Sequence, residues 1–330
     1  MDTPKLSSSS LAAALSAAAL AACAGARPAA PAPSYRDLHG VGDEIVAAGE
    51  RVAIGAPVML WFERPGYSAY AAEPRFGGEG PIGLRYRPGR DRSDSDRRTP
   101  AERPVLDRAR LAALVDLLVL HYDACGTSRE CFRVLQDERQ LSAHFLLDVD
   151  GTLYQTLDLA EEAWHARQAN PRSIGVEIAH VGCFPPGAPS PLDEWYVAEP
   201  DGIALSIPAR LGDGGVRTTG FAGRPARPER VAGEVNGEIH EQHDFTPEQY
   251  ESLVALAAAL IELCPRIAPD APRDARGAVR TDALSEAELA AFSGILGHHH
   301  VSPDKRDPGP AFDWERFLAA VRARVGSAGR

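Results

Sequence analysis

The chain has 330 residues, 44% hydrophobic and 25% charged, a balance that permits a sizeable core. A formal net charge of -11 argues against a nucleic-acid binder, which needs a basic face to displace counterions. No stretch is long and apolar enough to read as a membrane span.

Residues 1–10 are polar with one cation, Lys5, and residues 11–22 form an Ala/Leu-rich run with a single serine, ended by Cys23. This pattern predicts a secretory signal peptide over 1–22. Leu20-Ala21-Ala22-Cys23 resembles a bacterial lipobox. That resemblance implies cleavage before Cys23, lipidation of its thiol, and a periplasmic protein held to the outer membrane by lipid alone. An ordinary signal peptide with an incidental cysteine is the competing reading. Residues 23–34 are Ala/Pro-rich and predict an extended tether. Residues 35–103 read as an N-terminal extension or small β-rich module, closed by a charged, Pro/Gly-punctuated linker.

From residue 104 the pattern strengthens. "VDLLVLHY" predicts a buried central strand with His121 at its end. "SRECFRVLQDERQ" has helical composition, and "AHFLLDVDGTLYQTL" predicts two strands around an Asp150-Gly151 turn. "SIGVEIAH" reads as another buried strand, and residues 184–244, with little periodicity, as a long insertion or lid that either shapes a groove with Trp195 and Tyr196 or simply pads the surface. Thr246, Pro247 and Gln249 spell a capping box that opens a helix, ended by Pro265. Ser285 and Glu288 spell a second, "SGILGHH" reads as a strand, and "DWERFLAAVRARV" as a C-terminal amphipathic helix. Alternating strands and helices predict a layered α/β or α+β domain.

With Cys23 lipidated, four cysteines remain, an even number in an oxidising compartment. Cys125 and Cys131 are close enough in sequence to bridge a small loop, whereas Cys183 and Cys264 read nearly as well as free buried thiols. A catalytic zinc takes three protein ligands and leaves a fourth position open. His121 is a candidate, as is Asp307, brought back by a Pro-punctuated loop. Strand alternation predicts His298 and His300 on one face and His299 on the other, so either of the first two could complete the set. Glu177 lies among Val176, Ile178 and Ala179, where a carboxylate is costly to bury without a task. The alternative is an edge strand with Glu177 in solvent or a salt bridge.

Six blocks in order, "LVLHYDA", "LSAHFLLDVDGTLYQ", "AWHA", "NPRSIGVEIAH", "FTPEQYESL" and "GHHHVSPDKRDPGPAFDW", resemble the zinc-dependent N-acetylmuramoyl-L-alanine amidases, a family that also takes in phage T7-type lysozyme and peptidoglycan recognition proteins. Together they span about residues 104–325. The resemblance implies a central mixed β-sheet flanked by helices. It implies one Zn²⁺ on His121, His298 and Asp307, with Glu177 as general acid/base and Lys305 supporting the oxyanion. It leaves His300 as the fallback ligand. His144 and His165 also match family positions: His144 as a substrate or supporting group or, equally, a hydrogen-bonded structural histidine, and His165 as a site-wall or substrate group; Asn170, counted with them as substrate-binding, fixes the loop before the strand.

The resulting expectation is hydrolysis of the amide between N-acetylmuramic acid and L-alanine in peptidoglycan or muropeptides. Two competitors stand beside it: a non-catalytic muropeptide recognition protein, and a zinc peptidase cutting within the stem peptide.

Overall fold

The computed structural model describes residues 41–77, 82–90 and 106–328. The signal peptide, Cys23 and the tether lie outside the described residues. In chain order the elements are β1 (Gly42–Ala47), β2 (Glu50–Leu60), β3 (Tyr86–Arg87), α1 (Arg108–Leu114), β4 (Leu117–Tyr122), α2 (Ser128–Phe132), β5 (Phe145–Leu147), β6 (Leu153–Gln155), β7 (Glu162–Ala163), β8 (Ser173–Ile178), α3 (Leu192–Trp195), β9 (Tyr196–Glu199), β10 (Gly202–Leu205), β11 (Val231–Val235), β12 (Glu238–Gln242), α4 (Pro247–Leu263), α5 (Glu286–Ala291), β13 (Gly294–Gly297), α6 (His298–Val301) and α7 (Trp314–Ala328).

Seven strands form one mixed sheet in the order β1-β2-β6-β5-β8-β4-β13, which makes the protein a layered α/β fold with helices on a mixed sheet. Its heart is parallel: β4 pairs with β8 on one side and with β13 on the other. β4 is buried on both faces. Leu118 and Leu120 join Ile174, Val176, Leu253, Leu256, Leu260, Phe317 and Leu318 in the main core, between the sheet and helices α4 and α7. Leu117 and Val119 point the other way, against Ala166, Ala169, Leu289 and Leu296. Each such fully buried aliphatic side chain contributes about 1.5–3 kcal/mol, less the entropy of ordering it. By the period of two, His121 continues the Leu117–Val119 face, away from the main core.

The two capping boxes form as the sequence predicts: Thr246 with Gln249 opens α4, and Ser285 with Glu288 opens α5. Among the described residues no helix is long and apolar enough to cross a membrane.

Of the two readings for residues 35–103, the extension holds among the described residues: β1 and β2 are part of the main sheet, β2 pairing parallel with β6. Gln155 ties them in, accepting from the Val46 N–H at 2.7 Å and donating to its carbonyl at 2.8 Å. Three other expectations are corrected. The strand read through the histidines stops at Gly297, and His298–Val301 is a helical turn. It closes because the Ser302 N–H donates to the His298 carbonyl and the Gly297 N–H to His300 Nδ1. Cys125 and Cys131 are free thiols and not a disulfide; Cys131 is packed among Tyr67, Phe132 and Tyr154, with Cys125 against that cluster. Trp195 and Tyr196 do not line the cavity described below. They are buried with Val181 and Leu192 in a cluster of their own, because the insertion folds into two hairpins, β9–β10 and β11–β12, rather than an irregular lid.

Candidate metal centre and catalytic cleft

Three residues meet at the C-terminal edge of the parallel strands, where open α/β sheets place their ligands. His121 lies near the end of β4, and its register partner on β8 is Glu177. His298 follows Gly297, which pairs with Leu120, so it arrives beside His121 from the opposite neighbour. Asp307 returns on the loop after α6.

The donor atoms converge. His121 Nδ1 is 3.0 Å from His298 Nδ1 and 2.9 Å from Asp307 Oδ2, and His298 Nδ1 is 3.0 Å from the same oxygen. All three residues are buried, and this is the cluster among the described residues whose ligand atoms could share a metal ion. Two imidazole nitrogens and one carboxylate oxygen match the donor set that zinc takes when a fourth position is left open. A cation at their centre satisfies three inward lone pairs at once.

Burial first, then the neighbouring His298, lowers the His121 pKa to about 4, so its imidazole is neutral at pH 7 and available as a ligand. For Asp307 burial alone would raise the pKa, but His298 and His121 outweigh it and hold the carboxyl well below the usual range. Glu177 goes the other way: burial, then the facing Asp307 and Asp123, push its pKa well up, against the partial opposition of Lys305 and Arg139. Its Oε1 stands 4.0 Å from His121 Nδ1.

His165 backs the cluster. Its Nδ1 is 3.0 Å from His121 Nε2, and its Nε2 is 3.1 Å from Ser173 Oγ. A metal-ligating histidine fixes its tautomer through such a partner on its second nitrogen. The close approach needs Gly175 on β8, where an added Cβ would stand 2.6 Å from the His165 ring. Asn170 Oδ1 accepts the N–H groups of His165 and Ala166 at 3.2 and 2.6 Å and so holds the loop.

The cluster opens into a cavity of about 580 Å³ lined by His165, Asn170, Glu177 and Lys305 together with Asp123, Arg139, Trp164 and Arg167. The last four were not singled out from sequence, and nothing in their spacing marks them.

Here the structure decides between the two readings of His144 in favour of the structural one, and it rejects the fallback ligand His300. His144 does not reach the cavity; it is fully buried, its Nδ1 accepting from Gly175 N–H at 3.1 Å and its Nε2 facing the Glu161 carbonyl and the Arg90 guanidinium. That bonding is structural and removes it from the substrate-contacting set. His300 is not a fallback ligand, because its Nδ1 is taken by Gly297 N–H at 2.9 Å and its Nε2 donates to the Arg280 carbonyl at 2.8 Å. His299 turns from the donor atoms and holds the Asp307 carbonyl through Nδ1 at 3.0 Å.

Residues 111–310 match the N-acetylmuramoyl-L-alanine amidase family. The chain belongs to that family. Over 78 residues it is 36% identical to the 1,6-anhydro-N-acetylmuramyl-L-alanine amidase AmpD of Enterobacter cloacae, covering 23% of this chain and 29% of that protein. It is 33% identical over 78 residues to AmpD of Escherichia coli (strain K12), covering 23% and 30%. The aligned part thus spans less than a third of these curated relatives. Among solved structures, the N-acetylmuramyl-L-alanine amidase AmiD from E. coli, in complex with the substrate anhydro-N-acetylmuramic acid-L-Ala-D-gamma-Glu-L-Lys, matches at 21% identity and a TM-score of 0.33, over 69% of this chain and 62% of that one. AmpDh3 from Pseudomonas aeruginosa, in complex with an anhydromuramic pentapeptide, matches at 19% identity and a TM-score of 0.35, over 69% and 64%.

Proposed function

We propose that this member of the amidase family is a zinc hydrolase that cuts the amide between N-acetylmuramic acid and L-alanine in peptidoglycan or muropeptides. The observation that carries the reading is the meeting of His121, His298 and Asp307 within one cavity, with Glu177 as the register partner of His121. Zn²⁺ held there supplies Lewis acidity, which polarises an amide carbonyl and acidifies water. Glu177, kept protonatable by burial, takes a proton from the attacking water and passes it to the leaving nitrogen of L-alanine. Lys305 presents a cation to the same cavity and opposes the charge that develops on the carbonyl oxygen. His165 keeps the His121 ring oriented.

The test is digestion of purified peptidoglycan and of soluble muropeptides, with and without a chelator, with products identified by mass spectrometry. Free stem peptides beginning with L-alanine, lost on chelation and in Glu177→Ala, support the amidase. Internal cuts in the stem would replace it with a peptidase. Binding without products would replace it with a recognition protein.

The reading includes lipidation at Cys23 and a periplasmic, outer-membrane location, supported by the apolar run 11–22 and by Leu20-Ala21-Ala22-Cys23. Cys23→Ser would then release the protein from membranes, and an unchanged membrane fraction would reject the anchor.

A further inference from the structure

We propose that hairpin β11–β12, inside the 184–244 insertion, is a brace for the loop that carries Lys305 and Asp307, with Asn236 and Gln242 as its positioning residues. The inference rests on the metal reading above and names what holds one of the three ligands in place.

The hairpin turns on Asn236-Gly237, both with positive φ (49° and 80°), the signature of a tight two-residue turn. That conformation aims the Asn236 amide away from its own strands and into the loop. Its Nδ2 donates to the Lys305 carbonyl at 2.8 Å, while Oδ1 accepts from Ala283 N–H at 2.8 Å. One face of β12 then follows the loop at the strand period of two. Glu238 accepts from Arg306 Nη2 at 2.7 Å, and His240 Nε2 accepts from Arg306 Nε at 2.9 Å. Gln242, fully buried, donates to the Pro308 carbonyl at 3.1 Å and accepts from Ala311 N–H at 3.1 Å. Packing leaves no slack: an added Cβ on Gly309 would stand 2.2 Å from Gln242 Oε1. The hairpin thus grips the loop on both sides of Asp307, whose own carbonyl is held from the other direction by His299. Polar partners behind a metal ligand typically change metal affinity 10–100-fold when lost.

The experiment uses the full chain, zinc-loaded and metal-stripped. Asn236→Asp keeps size and turn preference but sets an acceptor against the Lys305 carbonyl; Asn236→Gly keeps the turn and removes both contacts; Gln242→Glu removes the donor to Pro308. Zinc dissociation is measured by chelator competition, and amide hydrogen exchange is followed in the stripped chain. The brace predicts zinc affinity lowered about 10–100-fold and faster exchange confined to residues 302–311, with β4 and α4 unchanged. Wild-type affinity and exchange in the Asn236 variants would overturn it. So would uniformly faster exchange across the sheet, which would mark a general stability role. If the unaltered chain binds no zinc, the metal reading fails on its own, and the exchange pattern of the stripped chain still decides the brace.

Discussion

His121 and Glu177 are register partners on adjacent parallel strands, with Nδ1 and Oε1 4.0 Å apart. A pleated sheet puts paired residues on the same face, so β4 and β8 deliver the proposed metal ligand and the proposed acid/base to one point without help from any loop.

This pairing separates ligation from proton transfer. Glu177→Gln keeps the shape and removes the proposed proton carrier. Turnover should fall by about 10²–10⁴-fold, the usual worth of a positioned general acid/base, with zinc content unchanged. Steady-state kinetics together with metal analysis checks both halves. Loss of zinc with activity would make Glu177 a ligand or a folding residue instead.

Asp307→Ala and His300→Ala should behave oppositely. Removing Asp307 deletes one of the three converging donors and should abolish zinc retention through dialysis. Removing His300 breaks its bonds to Gly297 and Arg280, for a stability loss of about 1–3 kcal/mol, while zinc stoichiometry stays as in the wild type. Metal analysis and urea titration distinguish the two.

Truncation to residue 104 should fail. It removes β1 and β2, strips one of the two partners of β6, and also takes Arg90, whose buried guanidinium donates to the carbonyls of Leu159 and Ser173 at 2.7 and 2.8 Å. Each buried acceptor left without a partner costs about 1–3 kcal/mol. Limited proteolysis and circular dichroism should report an unfolded or aggregated fragment. A protease-resistant fragment with a sharp melt would show the N-terminal strands to be dispensable.

His180 predicts a pH signature of folding. Burial, with a further push from His243, lowers its pKa from 6.5 to about 3, against the opposing bond to the His243 carbonyl. Between those values the unfolded chain binds the proton and the folded chain does not, so this residue's contribution rises with pH. His180→Gln lacks that penalty. The melting temperature of the wild type relative to the variant should therefore climb from about pH 4 to pH 7. A flat difference would show that His180 titrates alike in both states.

Much of the site was legible because local patterns sufficed. "VDLLVLHY" and "SIGVEIAH" carry the runs of strands buried on both faces, and a histidine and a glutamate in such runs draw notice through the cost of burying them. Strand alternation fails for the histidine run because the strand ends at Gly297 and His298–His300 lie in a helical turn. Whether a strand continues past Gly297 depends on His300 folding back onto it, a contact that spacing does not encode. Spacing likewise leaves His144 open between a substrate group and a structural one. Its ring is consumed by Gly175 and by Arg90, 54 residues away in sequence.

By itself the sequence determined the buried strands β4 and β8, the capped ends of α4 and α5, and the residue types able to bind a metal, because periodicity and capping are local properties. Tertiary structure alone decided which histidines share a carboxylate oxygen, that residues 42–60 complete the central sheet, and that an unremarkable Asn-Gly turn stands behind the ligand loop. Those outcomes depend on contacts between residues tens to hundreds of positions apart. Such contacts are set by packing and hydrogen-bond satisfaction across the whole domain, and no window of sequence contains them.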